Sequence, residues 1–151
     1  MNRKEAGTRP IFGRAGTALL IVAIALLCAV RNLPWHLDDK DQAKQAFVSH
    51  QMIGEGHWWF QHTPAGQIAT KPPLAGWLSA GTYVLTGRQY WDLAWRLQGL
   101  LCAGLLLWLL WKAGDRLAGP GAGGFLAAVP FGLHHFTPRL ATLVRTDMML
   151  A

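Results

Sequence analysis

Three apolar runs separated by polar intervals set the plan of this chain. From Ala15 to Val30 no charged residue occurs, and Ile11-Phe12-Gly13 lengthens that run on the near side of Arg14. A membrane-crossing helix takes about 20 mostly apolar residues, and the long stem of an arginine can carry its charge back to head-group level. Residues 11–30 are therefore expected to form a first span. A signal peptide competes with that reading, since residues 2–14 make a basic leader. The length of the run, the lack of a small-x-small site before Pro34 and the apolar runs further on favour a span. The second run reaches from about Tyr90 to Trp111, with Arg96 near its outer end and no charge from Leu97 onward. The third, Gly121 to His134, is short and glycine-rich. A turn is expected at Thr137-Pro138-Arg139, and a further apolar helix from Leu140, inside which the sequence stops. That stop gives the expectation of a fragment of a larger fold.

Between the first two runs the pattern changes. Ala43, Ala46, Phe47, His50 and Ile53 recur at three- and four-residue spacing, so Asp41 to Gly54 is expected to be a helix ended by Gly54 and Gly56. Trp58-Trp59-Phe60 suits the head-group level, where tryptophan concentrates, and the helix is expected to lie there with its apolar side down. Thr63-Pro64-Ala65-Gly66 reads as a turn. In Lys71-Pro72-Pro73, the first proline excludes helical geometry at Lys71. The second suits the first turn of a helix from Leu74 to Leu85, with Gly87 after its end.

Composition narrows the class. Of 151 residues 52% are hydrophobic and 15% charged, well below the roughly 25% charged of soluble domains. The net charge of +6 is not a nucleic-acid footprint, because its cations gather at Arg3, Lys4, Arg9 and Arg14, and again at Lys112 and Arg116. Basic residues in alternate short loops mark the cytoplasmic side of a membrane protein. Cys28 and Cys102 lie inside apolar runs and read as small buried hydrophobes.

The candidate chemistry is sparse. Asp38, Asp39 and Asp41 form either a solvated acidic loop or the source of one general base; a calcium loop would need a glycine and a closing glutamate that are missing. Lys71 either touches lipid phosphates or holds a substrate phosphate with its compact charge. Asp147, flanked by Met148-Met149-Leu150, is either a functional acid or the partner of Arg145. The pairs His57/His62 and His134/His135 lack the i, i+4 spacing of a strong zinc motif. Gly119 to Gly124 formally contains G-x-G-x-x-G, but it follows a basic loop and holds Pro120, so close helix packing is the better reading.

Taken together, Asp41-Gln42-Ala43-Lys44, Met52-Ile53-Gly54-Glu55-Gly56-His57-Trp58, Lys71-Pro72-Pro73-Leu74, Gly87, Arg96-Leu97 and Arg145-Thr146-Asp147 resemble the start of the membrane glycosyltransferases related to protein O-mannosyltransferase and the lipid A aminoarabinose transferase. The resemblance runs from Asp41 onward. It implies an all-α, multi-pass transmembrane fold of the GT-C type, with interfacial helices in the first extracytoplasmic loop. By that likeness residues 1–10 are a cytoplasmic basic tail, 11–30 the first span, 31–90 the extracytoplasmic loop with the catalytic motifs, and 91–151 further spans. The implied activity moves a sugar from a polyprenyl-phosphate donor to a lipid or protein acceptor on the outer side of the cell's inner (plasma) membrane. Asp41 and Asp147 match catalytic acids; Lys71, Arg96 and Lys44 match groups that meet the donor phosphate. No metal or other cofactor is required by this scheme, although Asp41 with Asp147 would suit a divalent ion. Gln42 stands where such enzymes usually have Glu, and Thr70 where they often have an acid. A truncated, inactive chain that binds the lipid carrier, or a structural subunit, stays open as the alternative.

Overall fold

Apolar runs and polar interval alike fold as helix, but each ends for a different local reason. The computed structural model describes residues 14–31, 33, 34, 36, 37, 39–69, 71 and 73–145. Among them are six helices: α1 (Arg14–Arg31), α2 (Lys40–Gly54), α3 (Leu74–Leu85), α4 (Trp91–Ala118), α5 (Ala122–Leu133) and α6 (Phe136–Thr142). The described residues contain no strand, only an isolated antiparallel bridge between His62 and Ile68. Asp39 starts α2 by accepting the Asp41 N–H at 3.0 Å, which satisfies one of the open donors of a helix start. α3 begins directly after Pro73 and is followed by Gly87, which takes a φ of 73°.

Two boundaries differ from the sequence expectation. α4 continues through Lys112 to Ala118 instead of giving way to a loop after Trp111. Charge ends an apolar pattern, but Lys, Ala, Arg and Leu are good helix formers, and the helix stops only at Gly119, at φ 95°. The turn expected at Thr137-Pro138-Arg139 is instead the opening of α6, with the bend moved to His134, whose ψ of 137° is extended. A proline in a first helical turn costs nothing, since its missing N–H would have no partner there. The apolar helix expected from Leu140 ends at Thr142, and residues 146–151 lie outside the described residues.

α4 is the one helix among the described residues long and apolar enough to cross a membrane; Ala15–Arg31, Leu74–Leu85 and Ala122–Leu133 are apolar but shorter. α4 packs against α5, α6, α1 and α3, and α2 packs on α3. The larger core joins Ile24 and Cys28 of α1 to Ala103, Leu107 and Trp111 of α4, Ala128 of α5 and Ala141 of α6. Close approach of α4 and α5 depends on Gly114 and Gly123, each of which would drive a Cβ into the other's carbonyl. A second small core, Val48, Met52 and Ala80, ties α2 to α3. The start of α1 and the end of α4 share one end of the bundle, because Thr17 and Ala18 line a cavity with Lys112 and Asp115. The first turns of α1 thus lie at the same end as Lys112.

The glycine-rich stretch after α4 does what small residues do between helices. The Asp115 carboxylate accepts the amide N–H groups of Gly121 (2.7 Å) and Gly124 (3.0 Å). The start of α5 is therefore occupied by the protein's own acid and offers no phosphate cradle.

Candidate functional site

Asp39 caps α2, Asp41 lies in its first turn and Lys44 follows at the start of the second. Asp41 and Lys44 lie within one helical turn, where residues three apart are neighbours. Lys71 arrives from the other side, held beside Pro73 at the entrance to α3. Between them lies a cavity of about 230 Å³ lined by Asp41, Lys44, Gln45, Gln61, Thr63 and Lys71, among others. Three of the five residues expected at the site are thus brought together. At ~30 Å³ per water, the space suits a polar head group and excludes a long chain, which would have to lie outside it.

The floor of that cavity is polar in an unusual way. Gln61 is 5% exposed, and its Nε2, like the Thr63 Oγ1, is buried without a hydrogen-bond partner among the described residues. Burying an unpaired polar atom costs about 1–3 kcal/mol, so both groups are disposed to meet a polar ligand. Neither Gln61 nor Thr63 was singled out by the sequence pattern. Their only signal is a polar residue on each side of His62, in the bridge that faces Ile68.

Arg145 approaches Asp41 without lining that cavity. Its Nη2 pairs with Asp39 Oδ2 and lies 3.7 Å from Asp41 Oδ2. The Val144 N–H donates to Gln42 Oε1 at 3.1 Å, which fixes the 143–145 segment against α2. The Asp39 carboxyl is held below the usual carboxylate range, most of all by the Asp41 N–H; desolvation opposes this, and hydrogen bonding and charge attraction from Arg145, with a last contribution from Arg139, add to the lowering. A neighbouring cavity of about 650 Å³ opens beyond Asp39 and Arg145, with His36, Arg139 and Phe136 on its walls.

The other two expected residues stand apart. Arg96 does not line the cavity of Asp41 and Lys71. Its side chain is 1% exposed, and it donates to the Asp92 carbonyl (3.0 Å), the Asp92 Oδ1 (3.2 Å) and the His36 carbonyl (3.4 Å). It fastens the head of α4 to the 33–37 segment. Asp147 lies outside the described residues, as does Asp38; Arg145, two positions earlier, reaches Asp41.

α2 also turns a polar stripe inward. Gln42, Ser49 and Gln51 are buried, while of the expected apolar stripe Ala46 is buried, Phe47 and Ile53 are half-buried and Ala43 and His50 are exposed. Ser49 accepts the Trp95 indole N–H at 2.8 Å, and Ser79 of α3 accepts from Gln98 Nε2 at 2.7 Å. Trp91 stacks on Tyr83 with centroids 3.7 Å apart and on Trp95 at 5.3 Å. These bonds hold α2 and α3 to the head of α4. The platform's outer surface is apolar: Trp59 is 75% and Phe60 72% exposed. Compared with protein-family descriptions, curated proteins and solved structures, the chain matches none.

Proposed function

We propose that this chain forms the donor end of a glycosyltransferase, which moves a sugar from a polyprenyl-phosphate carrier to a lipid or protein hydroxyl or amine on the outer side of the membrane. In this reading the chain belongs to a multi-pass GT-C fold, with the basic end of the bundle cytoplasmic. The observation that carries it is the single cavity shared by Asp41, Lys44 and Lys71, lined also by the unpartnered polar atoms of Gln61 and Thr63. A carboxylate opposite two ammonium groups is what displacement of a phosphate requires. The acceptor oxygen or nitrogen forms its bond to the anomeric carbon as the bond to the carrier phosphate breaks. The phosphate leaves with the electron pair, its charge met by Lys71 and Lys44, and the acceptor's proton passes to Asp41. Such a displacement inverts the anomeric carbon. The exposed apolar surface at Trp59 and Phe60 provides a lipid-facing rim on which an isoprenoid chain can rest while its head group enters.

A second reading, a carrier-binding chain without catalysis, is favoured by one contact. Arg145 Nη2 stands 3.7 Å from Asp41 Oδ2, in the space an acceptor hydroxyl would need to reach that oxygen.

One experiment separates the two. Membranes containing the protein are supplied with polyprenyl-phosphate sugars, and transfer and carrier binding are measured for Asp41→Asn and Lys71→Ala. A positioned base contributes about 10²–10⁴-fold, so Asp41→Asn should lower turnover by at least about 100-fold and leave carrier affinity intact. Lys71→Ala should weaken carrier binding about 10-fold or more, as loss of a charge-assisted bond does. Carrier binding without transfer in the unaltered protein supports the binding chain; no carrier binding at all defeats both readings.

A further inference from the structure

We infer that the end of the bundle remote from Asp41 holds a binding site for one anionic phospholipid. The inference needs α4 to cross a membrane and is independent of any sugar transfer. Between α1 and α4 lies a cavity of about 560 Å³, lined by Thr17, Ile21 and Val22 of α1 and by Trp108, Lys112 and Asp115 of α4. Lys112 stands sixteen residues beyond Arg96 on the same helix, or about 24 Å along its axis at 1.5 Å per residue. The cavity is therefore far from the site described above.

Two features point to the chemistry of the occupant. The first is an uncompensated cation. Asp115, one turn from Lys112, directs its Oδ1 to the amides of Gly121 and Gly124, and Lys112 makes no ion pair among the described residues. Its Nζ lies 5.9 Å from the centroid of the Trp108 ring, and both residues line the cavity. The second is continuity with apolar surface: Val22 is 52%, Leu19 71% and Trp108 47% exposed, so the groove opens onto the flanks of α1 and α4. A free anion would satisfy Lys112 and leave the apolar walls wet. A neutral lipid would cover the walls and leave the ammonium group unpaired. A phospholipid with net negative charge meets both, its phosphate at Lys112 and an acyl chain along Ile21 and Val22. Arg116, exposed one turn further on, adds to the positive field at that end.

The test uses bromine quenching of tryptophan. The full chain is placed in phosphatidylcholine nanodiscs carrying a rising fraction of either phosphatidylglycerol or phosphatidylcholine with dibrominated chains. The emission lost in Trp108→Phe identifies the signal from the groove. A basic residue near the head groups is worth about fivefold in lipid preference, so brominated phosphatidylglycerol should quench that signal at about one-fifth of the fraction needed for brominated phosphatidylcholine. Lys112→Glu should abolish the preference with helicity unchanged, and Lys112→Arg should keep it. Equal quenching by the two lipids, or a preference that survives Lys112→Glu, overturns the inference. Loss of the preference on adding millimolar inorganic phosphate overturns it too, since a small anion would then be the occupant.

Discussion

In the bundle of α1, α4, α5 and α6 the closest contacts are backbone against backbone, as where Gly114 and Gly123 bring α4 and α5 together. In the platform of α2, α3 and the intervening loop the decisive contacts are directional: Ser49 with Trp95, Ser79 with Gln98, Gln42 with the Val144 amide. The two regions solve different problems. Small residues let helix backbones approach closely and pack by shape. Such packing cannot orient a carboxylate. Hydrogen bonds can, and the platform uses them to set Asp41, Lys44 and Lys71 around one cavity. The bundle is thus a support whose sequence can vary in apolar detail, while the platform is a site whose polar positions are individually committed.

Breaking the support should give the largest effect. Gly123→Leu forces a side chain into the carbonyl of Gly114, with only backbone to yield. Overpacking costs about 1–3 kcal/mol where side chains can adjust, so a loss at or above ~3 kcal/mol is expected, read as a large fall in thermal midpoint by circular dichroism. Leu126→Ala on the same helix, at a position 68% exposed, should move the midpoint little. Equal midpoints for Gly123→Leu and the unaltered protein would remove close packing as the basis of the bundle.

Met52→Ala sharpens the contrast from the other side. Met52 is fully buried, and its Cε lies 2.5 Å from where a Cβ on Gly76 would stand. Emptying such a site costs about 2–5 kcal/mol. If the platform is a separate cooperative unit, hydrogen exchange should rise across residues 40–85 and stay low in α4 and α5. Equal acceleration in all of them would show one unit, and the division drawn above would fail.

Arg96 sits where the two regions meet, and its substitution should have a middling effect. Arg96→Met removes hydrogen bonds to the Asp92 and His36 carbonyls but retains the stem. A loss of about 1–3 kcal/mol is expected from the bonds to a charged group, without change in carrier affinity. A fall in carrier affinity at constant stability would instead make Arg96 a phosphate contact, as the resemblance implied.

The outcome at Arg96 also shows what could be read from the chain and what could not. The helices expected at 11–30, Asp41–Gly54, Leu74–Leu85, Tyr90–Trp111 and Gly121–His134 have counterparts in α1 to α5, and the limits of α3 agree to the residue; the one expected from Leu140 has none, since α6 ends at Thr142. Boundaries failed where charge was taken to end a helix: Lys112 ends an apolar run, but only Gly119 ends α4. Of the residues around the cavity, Asp41, Lys44 and Lys71 were named by the resemblance, and Lys71 also by the two prolines that follow it. Arg145 was out of reach, because its partners Asp39 and Asp41 are more than a hundred positions away. One signal for the platform was present but unread. Gln42, Gln45, Ser49 and Met52 recur at helical spacing, a mostly polar stripe whose members are buried or half-buried. The apolar stripe of α2 drew the reading toward a membrane surface, and the polar stripe is the side the protein uses.

The smallest predicted effect concerns the clasp between those distant residues. Asp39 caps α2 and pairs with Arg145, and its carboxyl is held below the usual range, most by the Asp41 N–H. A group whose pKa is lower folded than unfolded adds stability above its unfolded value, and that stability is lost as pH falls through the folded value. The clasp should therefore hold at neutral pH and loosen only in acid, below the ordinary aspartate range. Because Asp39 is partly exposed, solvent screens the pair and the change is modest. Faster hydrogen exchange at the start of α2 and in residues 143–145, setting in only below that range, is the expected observation. Asp39→Asn keeps a side chain able to cap the helix but carries no charge to lose, so it should flatten the acid dependence while α2 persists. An acid dependence unchanged by that substitution would assign it to some other carboxylate, Asp41 beside Arg145 first among them.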